Sequence, residues 1–250
     1  GSSDYERVVF IESMGSQLFI AGQWGNDWIV GAVGSDGDLM WTNVWRPTID
    51  NGAVVGLKFH QAGLESYLYA GGNSGGAAYL IKYDANGAAI ETNYLCSGTL
   101  QSLAVSGDDI WMCGNFQVGG VWPNLIRYDT ATKSVDLTLI ALGGENLHQV
   151  ASLGSSLILA GYTSDQEVGG CTNRGGEDVL VYALSESPYG WETNWVRLVG
   201  ASGDDRPLSL VAVEDGCYVL GCAYRESAGG LIDHLFLTRF DSTGGVVWTR

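Results

Sequence analysis

The sequence predicts an all-β chain made of one four-stranded unit used five times. Three observations lead there. No stretch carries the 3.6-residue apolar period of an amphipathic helix. Short apolar runs alternate instead with Gly/Asp/Asn/Ser clusters, as they do in antiparallel hairpins. One pattern then recurs along the whole chain, and a period of this length marks a repeat architecture.

Taken in order, each unit opens on an apolar run: RVVFIES, AVVGLKF, LQSLAVS, HQVASL and PLSLVAV. A second run closes on glycine: FIAGQ at Gly22, LYAGG at Gly71, WMCGN at Gly114, LILAG at Gly161 and YVLGC at Gly221. These glycines are 49, 43, 47 and 60 residues apart. A loop leads to the third run, DWIVGAV, YLIKYD, LIRYD, VLVYAL or LFLTRFD. A turn follows (SDGD, DANG, DTATK, SESPYG or DSTGG), and then a last run: LMWTNVW, AIETNYL, VDLTLIAL, TNWVRLV or VVWTR. Units of this size cannot each bury both faces alone, so they are expected to stack face to face around an axis as a β-propeller of five four-stranded blades. The expected blades span approximately residues 4–48, 49–97, 98–143, 144–200 and 201–250 of a single domain. Trp41, Trp195 and Trp248 recur in phase with the last strand and read as packing between blades, and the repeated glycines read as close approaches or bulges.

The stretch GASGDDRPLSLVAVEDGCYVLGCAYRES…DHLFLTRFDSTGGVVWTR resembles the SBBP-type β-propeller repeat proteins of bacteria and archaea. That family has a Gly-Asp-Asp element before the first strand, a Gly-ended second strand, and a D-x-x-G turn before a Trp-bearing strand. The DSTGGVVW turn also resembles PQQ-type repeats, but the Gly-Asp-Asp lead-in favours the first family. All five units share the pattern; the third and fourth depart from it, with Asp136 in place of Trp and SESPYGWET lengthening the turn. The resemblance implies fold and is silent about activity. Because SSDYERVVF is in phase with SGDDRPLSL and the chain ends on a last-strand Trp, direct closure of the five blades is expected, with a five-blade piece of a longer array as the alternative.

The formal net charge is −16, and Lys58, Lys82 and Lys133 are the three lysines. Such a surface repels a phosphate backbone, which argues against nucleic acid as a partner. It suits a chain kept soluble outside the cell or at its surface. The sequence shows no recognisable signal peptide, and Gly1-Ser2 reads as a cloning remnant, which is compatible with removal of a secretion signal; no apolar run is long enough for a membrane span. Of the five cysteines, Cys113 and Cys222 lie in apolar runs and read as buried thiols, whereas Cys171, in a Gly-rich loop, reads as exposed. Neither Cys96 nor Cys217 completes a metal-type spacing with them.

In an up-and-down blade, the 1–2 and 3–4 turns share one end, and the 2–3 loops share the other with the blade crossings. The turn end is short and stereotyped (SMGS, VEDG, SDGD, DANG). The loop end holds the length variation, including 163–178 and 224–233. Loops on a rigid scaffold carry specificity, so a ligand is expected at the loop end. The candidate ligand-binding residues are Trp24, Phe116, Trp122, Tyr162 and Tyr224, joined at the crossings by Asp50, Asn51, Glu145, Asn146, Asp204, Asp205 and Arg206. Aromatics beside carboxylates and amides stack on sugar rings or anchor a protein. The competing reading is that the aromatics cap blades and the aspartates bond turn amides.

Catalytic motifs do not survive their context. GNSGG at 72–76 matches G-x-S-x-G but lies between strands, without the helix a nucleophile elbow requires. His60, His148 and His234 fall in different units with no ligand spacing. SDGD and DANG lack the alternating ligands of a calcium loop and read as hairpin turns. The leading expectation is a non-enzymatic extracellular or cell-surface module without a cofactor or metal, binding a protein or glycan or self-associating. A lectin-like propeller is the alternative. The remaining one is a glycoside hydrolase, which would place Asp50, Glu145 and Asp204 or Asp205 across a channel at catalytic separation.

Overall fold

The structure, a computed structural model, describes residues 6–47, 52–119, 124–138, 146–188, 190–224 and 232–250. Among these residues there are strands and no helix. The chain divides into two compact units, residues 1–138 and 139–250.

In the first unit, β1 (Glu6–Met14), β2 (Gln17–Trp24), β3 (Asp27–Val33) and β4 (Leu39–Trp45) form an antiparallel sheet in sequence order. A seven-stranded sheet follows: β5 (Ala53–Ala62), β6 (Glu65–Ser74), β7 (Ala77–Tyr83), β8 (Ala89–Ser106), β9 (Asp109–Gln117), β10 (Leu125–Asp129) and β11 (Val135–Thr138). Here the structure differs from the expectation of separate second and third sheets. The run TNYLCSGTLQSL contains no proline, and β8 continues unbroken through its Ser-Gly pair. Its first half pairs with β7 as far as Ser97, and its second half pairs with β9 from Ser97 onward. Gly98, at φ +120°, sits where the strand changes partner.

In the second unit, β12 (Asn146–Leu153), β13 (Ser156–Thr163), β16 (Asp178–Ser187) and β17 (Gly190–Val199) form one meander. The 2–3 loop contributes a small ribbon, β14 (Glu167–Val168) with β15 (Cys171–Thr172). The other meander is β18 (Asp204–Val213), β19 (Gly216–Tyr224), β20 (Ile232–Asp241) and β21 (Val246–Thr249). The SESPYGWET insertion lengthens strands instead of a turn: β16 and β17 each run ten residues, and Ser187 pairs with Gly190 across a two-residue connection.

The 1–2 hairpins open on Gly15, Gly63, Gly107 and Gly154, all with φ between +57° and +63°. This is the glycine-first geometry of two-residue II′ turns. On the 3–4 side, Asp84, Asp129 and Asp241 each accept turn amides: Asn86 and Ala88, Ala131 and Thr132, Thr243 and Gly245.

Every meander has a bulge between its first two strands, and a glycine of strand 2 lies opposite the bulge: Gly22, Gly72, Gly114, Gly161 and Gly221. In the second meander this residue is Gly72, not the Gly71 expected from LYAGG. In four of them a first-strand carbonyl explains the requirement: a Cβ on Gly22 would meet Arg7 O at 2.1 Å, and one on Gly72 would meet Ala53 O at 2.3 Å, with Thr99 O and Asn146 O against Gly114 and Gly161; at Gly221 the Phe236 ring takes that space. With the register corrected, neighbouring meanders pack in one sense. Phe19, Ala21, Trp28, Val30 and Ala32 of the first face Val54, Leu57, Leu68, Ala70 and Ile81 of the second. Tyr69, Ala78 and Leu80 of the second face Leu100, Leu103, Ile110 and Met112 of the third. In the other unit, Ile158, Ala160, Val181 and Trp195 face Leu210, Cys217, Val219 and Phe240.

The repeated tryptophans take part in the same scheme. The Trp41 ring lies against Gly87 in the next meander's turn, and the Trp195 ring lies against Gly244 while its Nε1 donates to Ser242 O at 3.1 Å. All five cysteines are free thiols. Cys96, Cys113, Cys217 and Cys222 are buried and Cys171 is half-buried.

Candidate functional site

At one end of the second unit's sheets, the ends of β13 and β17 meet the starts of β12, β16 and β18. Asn146 pairs with Tyr162, Thr163 with Asp178, Val179 with Val199, and Asp204 with Tyr224. The long loop after β13 is tied down from within. Asn173 donates to Thr163 O and Gly176 O and accepts from Gly175 N, and the Cys171 thiol donates to Val196 O. The crossing from β17 to β18 is joined to that loop: Gly176 N donates to Gly203 O, Glu177 N to Asp204 Oδ1, and Asp205 N to Glu177 O.

This scaffold presents a polar and aromatic cluster. The Arg206 guanidinium lies 4.3 Å from the Tyr162 ring centre and donates to Glu177 Oε2 at 2.5 Å. The Arg206 side chain is 38% exposed and that of Glu177 26%, so water still screens the pair in part. The His148 ring stands 5.2 Å from the Tyr162 ring, tilted by 57°. Burial, with the Arg206 charge nearby, holds the His148 imidazole below the usual histidine range. Burial works against the charge on Arg206 too, but Tyr162, Glu177 and Asp204 outweigh it.

Beneath the cluster lie two buried carboxyls. Asp178 Oδ2 accepts Arg174 N, and Asp205 Oδ2 accepts Ala201 N. Asp178 Oδ1 and Asp205 Oδ2 both lie against the Cα of Gly200, where no side chain would fit. Asp178 Oδ1 has no hydrogen-bond partner among the described residues. Both groups are pushed above the usual carboxylate range, by burial first; for Asp205 the Asp178 charge adds to it.

Six of the twelve residues expected from the sequence therefore come together: Asn146, Tyr162, Asp204, Asp205, Arg206 and Tyr224. Within that group Asp205 is 1% exposed and holds the crossing, which is a structural task. Phe116 is not at a surface: β9 continues past Gly114 to Gln117, and Phe116 is fully buried among Leu100, Leu103 and Met112. Trp24 is 45% exposed in the other unit. Trp122, Asp50, Asn51 and Glu145 lie outside the described residues. Sequence reasoning missed His148, Glu177 and Asp178. Among the described residues no group of three or more His, Cys, Asp or Glu is placed to hold a metal ion, and no helix is long and apolar enough to cross a membrane.

No family model matches the chain, and no curated protein matches it. Solved structures do. The WD40 domain of Neurospora crassa Pan2 superposes at TM-score 0.62 with 12% identity, over 98% of this chain and 65% of that one. The fold is that of a β-propeller. The AfRom2 CNH domain gives 0.54 at 7% identity over 97% and 79%, and a protein from Lactobacillus plantarum gives 0.53 at 15% identity over 94% and 67%. The chain thus spans about two thirds of the length of the Pan2 domain it matches.

Proposed function

We propose that this chain is a non-enzymatic propeller module of five four-stranded blades, extracellular or at the cell surface, whose loop end in residues 146–224 docks a protein partner of basic character. The observation that carries the reading is the convergence of Tyr162, Arg206, Glu177, Asp204 and Tyr224 on a loop held rigid by its own hydrogen bonds. Aromatic and arginine anchors on a rigid ledge are what protein interfaces use. The net charge of −16 selects a positively charged partner and speeds its approach. A glycan fits this ledge less well, because the Arg206 guanidinium already lies 4.3 Å from the centre of the Tyr162 ring that a sugar would stack on.

The test is fluorescence anisotropy with an arginine-rich peptide as the probe. Glu177→Gln with Asp204→Asn should weaken binding about tenfold, and added salt should shrink the difference. Glu214→Gln with Asp215→Asn, at the opposite turn, removes equal charge and should leave the affinity unchanged. Equal losses from both pairs would mean that bulk charge, not this ledge, binds the peptide.

A further inference from the structure

The aspartates of the hairpin turns commit their oxygens to main-chain amides. Asp36 accepts Asp38 N, Asp84 accepts Asn86 N and Ala88 N, and Asp241 accepts Thr243 N and Gly245 N. Asp178, at the start of β16, and Asp205, at the start of β18, differ from them. Each is 1% exposed and accepts one amide, Asp178 through Oδ2 from Arg174 N and Asp205 through Oδ2 from Ala201 N. Asp178 Oδ1 is buried and has no hydrogen-bond partner among the described residues. An ionised oxygen in that position is costly unless a positive group answers it.

The two carboxyls meet at the crossing from β17 to β18. A Cβ on Gly200 would stand 2.2 Å from Asp178 Oδ1 and 2.8 Å from Asp205 Oδ2, so only glycine leaves clear the space between them. Two oxygens on one calcium ion, each about 2.3–2.6 Å from it, are at most about 5 Å apart, and their distances to the Gly200 position hold these two within the same limit. Two main-chain carbonyls, Ala201 O and Gly203 O, border the crossing where it faces Gly175.

The charges nearby do not relieve the pair. Arg174 draws Asp178 down and His234 draws Asp205 down, yet burial keeps both above the usual carboxylate range, and the Asp178 charge adds to this for Asp205. A bound cation reverses that balance and favours both ionised forms. Calcium takes carboxylate, carbonyl and water oxygens in a loose geometry, whereas magnesium asks for a near-ideal octahedron and keeps its own water.

We propose that Asp178 and Asp205 form a calcium site at the β17–β18 crossing, with water or main-chain oxygens in the remaining positions. Its dissociation constant should be about 10⁻⁴–10⁻³ M, the range of extracellular modules. The ion fastens the loop after β13 to the crossing. The site does not rest on the loop-end reading above, and its test uses no peptide.

The chelator-treated 250-residue chain is titrated with calcium chloride by calorimetry and melted near neutral pH. The wild type should take up one ion per chain and melt about 3–5 °C higher at ten times the dissociation constant. Asp178→Asn keeps an oxygen for Arg174 N. In chelator it should melt above the wild type; calcium should close that gap by raising the wild type alone. Asp36→Asn, at an exposed turn, should respond as the wild type does. No uptake by the wild type, or undiminished uptake by Asp178→Asn, would overturn the proposal. So would an equal rise with magnesium, which would mean that the net charge of −16 is merely being screened. A wild type that melts higher in acid but not with calcium would overturn it too, since a shared proton would then relieve the pair.

Discussion

The two faces of the first sheet are made from the same four strands and have opposite fates. On one, Trp28 is fully buried against Gly72 and tilts against Trp45 at 4.6 Å. On the other, Ile20 and Ile29 line an open cavity, and Leu18, Met40 and Val44 stand in solvent. The apolar content of the strands is similar on both sides, so hydrophobicity alone does not decide burial. A shape on the neighbouring sheet does, and here it is a glycine placed to receive an indole.

The contrast is open to direct attack. The largest effect is expected from Trp28→Ala, which empties the covered face and should cost about 3–5 kcal/mol in urea unfolding. Gly72→Ala comes next. Its methyl group would press on both Ala53 O and the Trp28 ring, for a loss of about 1–3 kcal/mol.

Asp178 extends the comparison to a buried carboxyl, one oxygen of which has no hydrogen-bond partner among the described residues. Its pKa is raised by burial, so the stability it contributes is complete below the ordinary carboxylate value of about 3.9 and is lost as pH rises through its folded value. Asp178→Asn should therefore stabilise the protein at neutral pH by about 1 kcal/mol, with the gain fading in acid, as thermal melts across pH would show. Asp241 has the opposite sign. The Thr243 hydroxyl and the Gly245 and Thr243 amides hold its pKa down, so its contribution is present above the ordinary carboxylate value and disappears as pH falls through the folded one. Asp241→Asn should be mildly destabilising at neutral pH only. Smallest of all, Leu18→Gln on the bare face should change stability by no more than about 0.5 kcal/mol in dilute protein. A large loss there would mean that the face is covered after all.

Strand order and turns were legible in the sequence because both are local. The period-2 patterning and the Gly and Asp turn residues fix them without reference to distant partners. The bulge glycine of the second meander was not legible, since LYAGG offers two adjacent glycines and only pairing with β5 distinguishes Gly72 from Gly71. The fused second and third sheets escaped for a similar reason: the Ser-Gly pair between AIETNYL and LQSLAVS reads as a break, and only the pairing shows that the strand runs through it and changes partner there. Tyr162, Asp204, Arg206 and Tyr224 could be placed at one end by counting strands. Phe116 was misplaced because the strand after Gly114 runs further than its counterparts' apolar runs suggest. Glu177 and His148 left no mark, being single polar residues whose role comes from the Tyr162 and Arg206 side chains brought to them by the fold.

The unbroken β8 has a mechanical meaning for the repeat. Two units that share a strand cannot separate by swinging about a linker, and neither can melt without stripping hydrogen bonds from the other. Residues 53–138 should therefore open as a single block in hydrogen exchange. For anyone trimming or shuffling this array, a cut between the second and third units would sever a beam, not a joint.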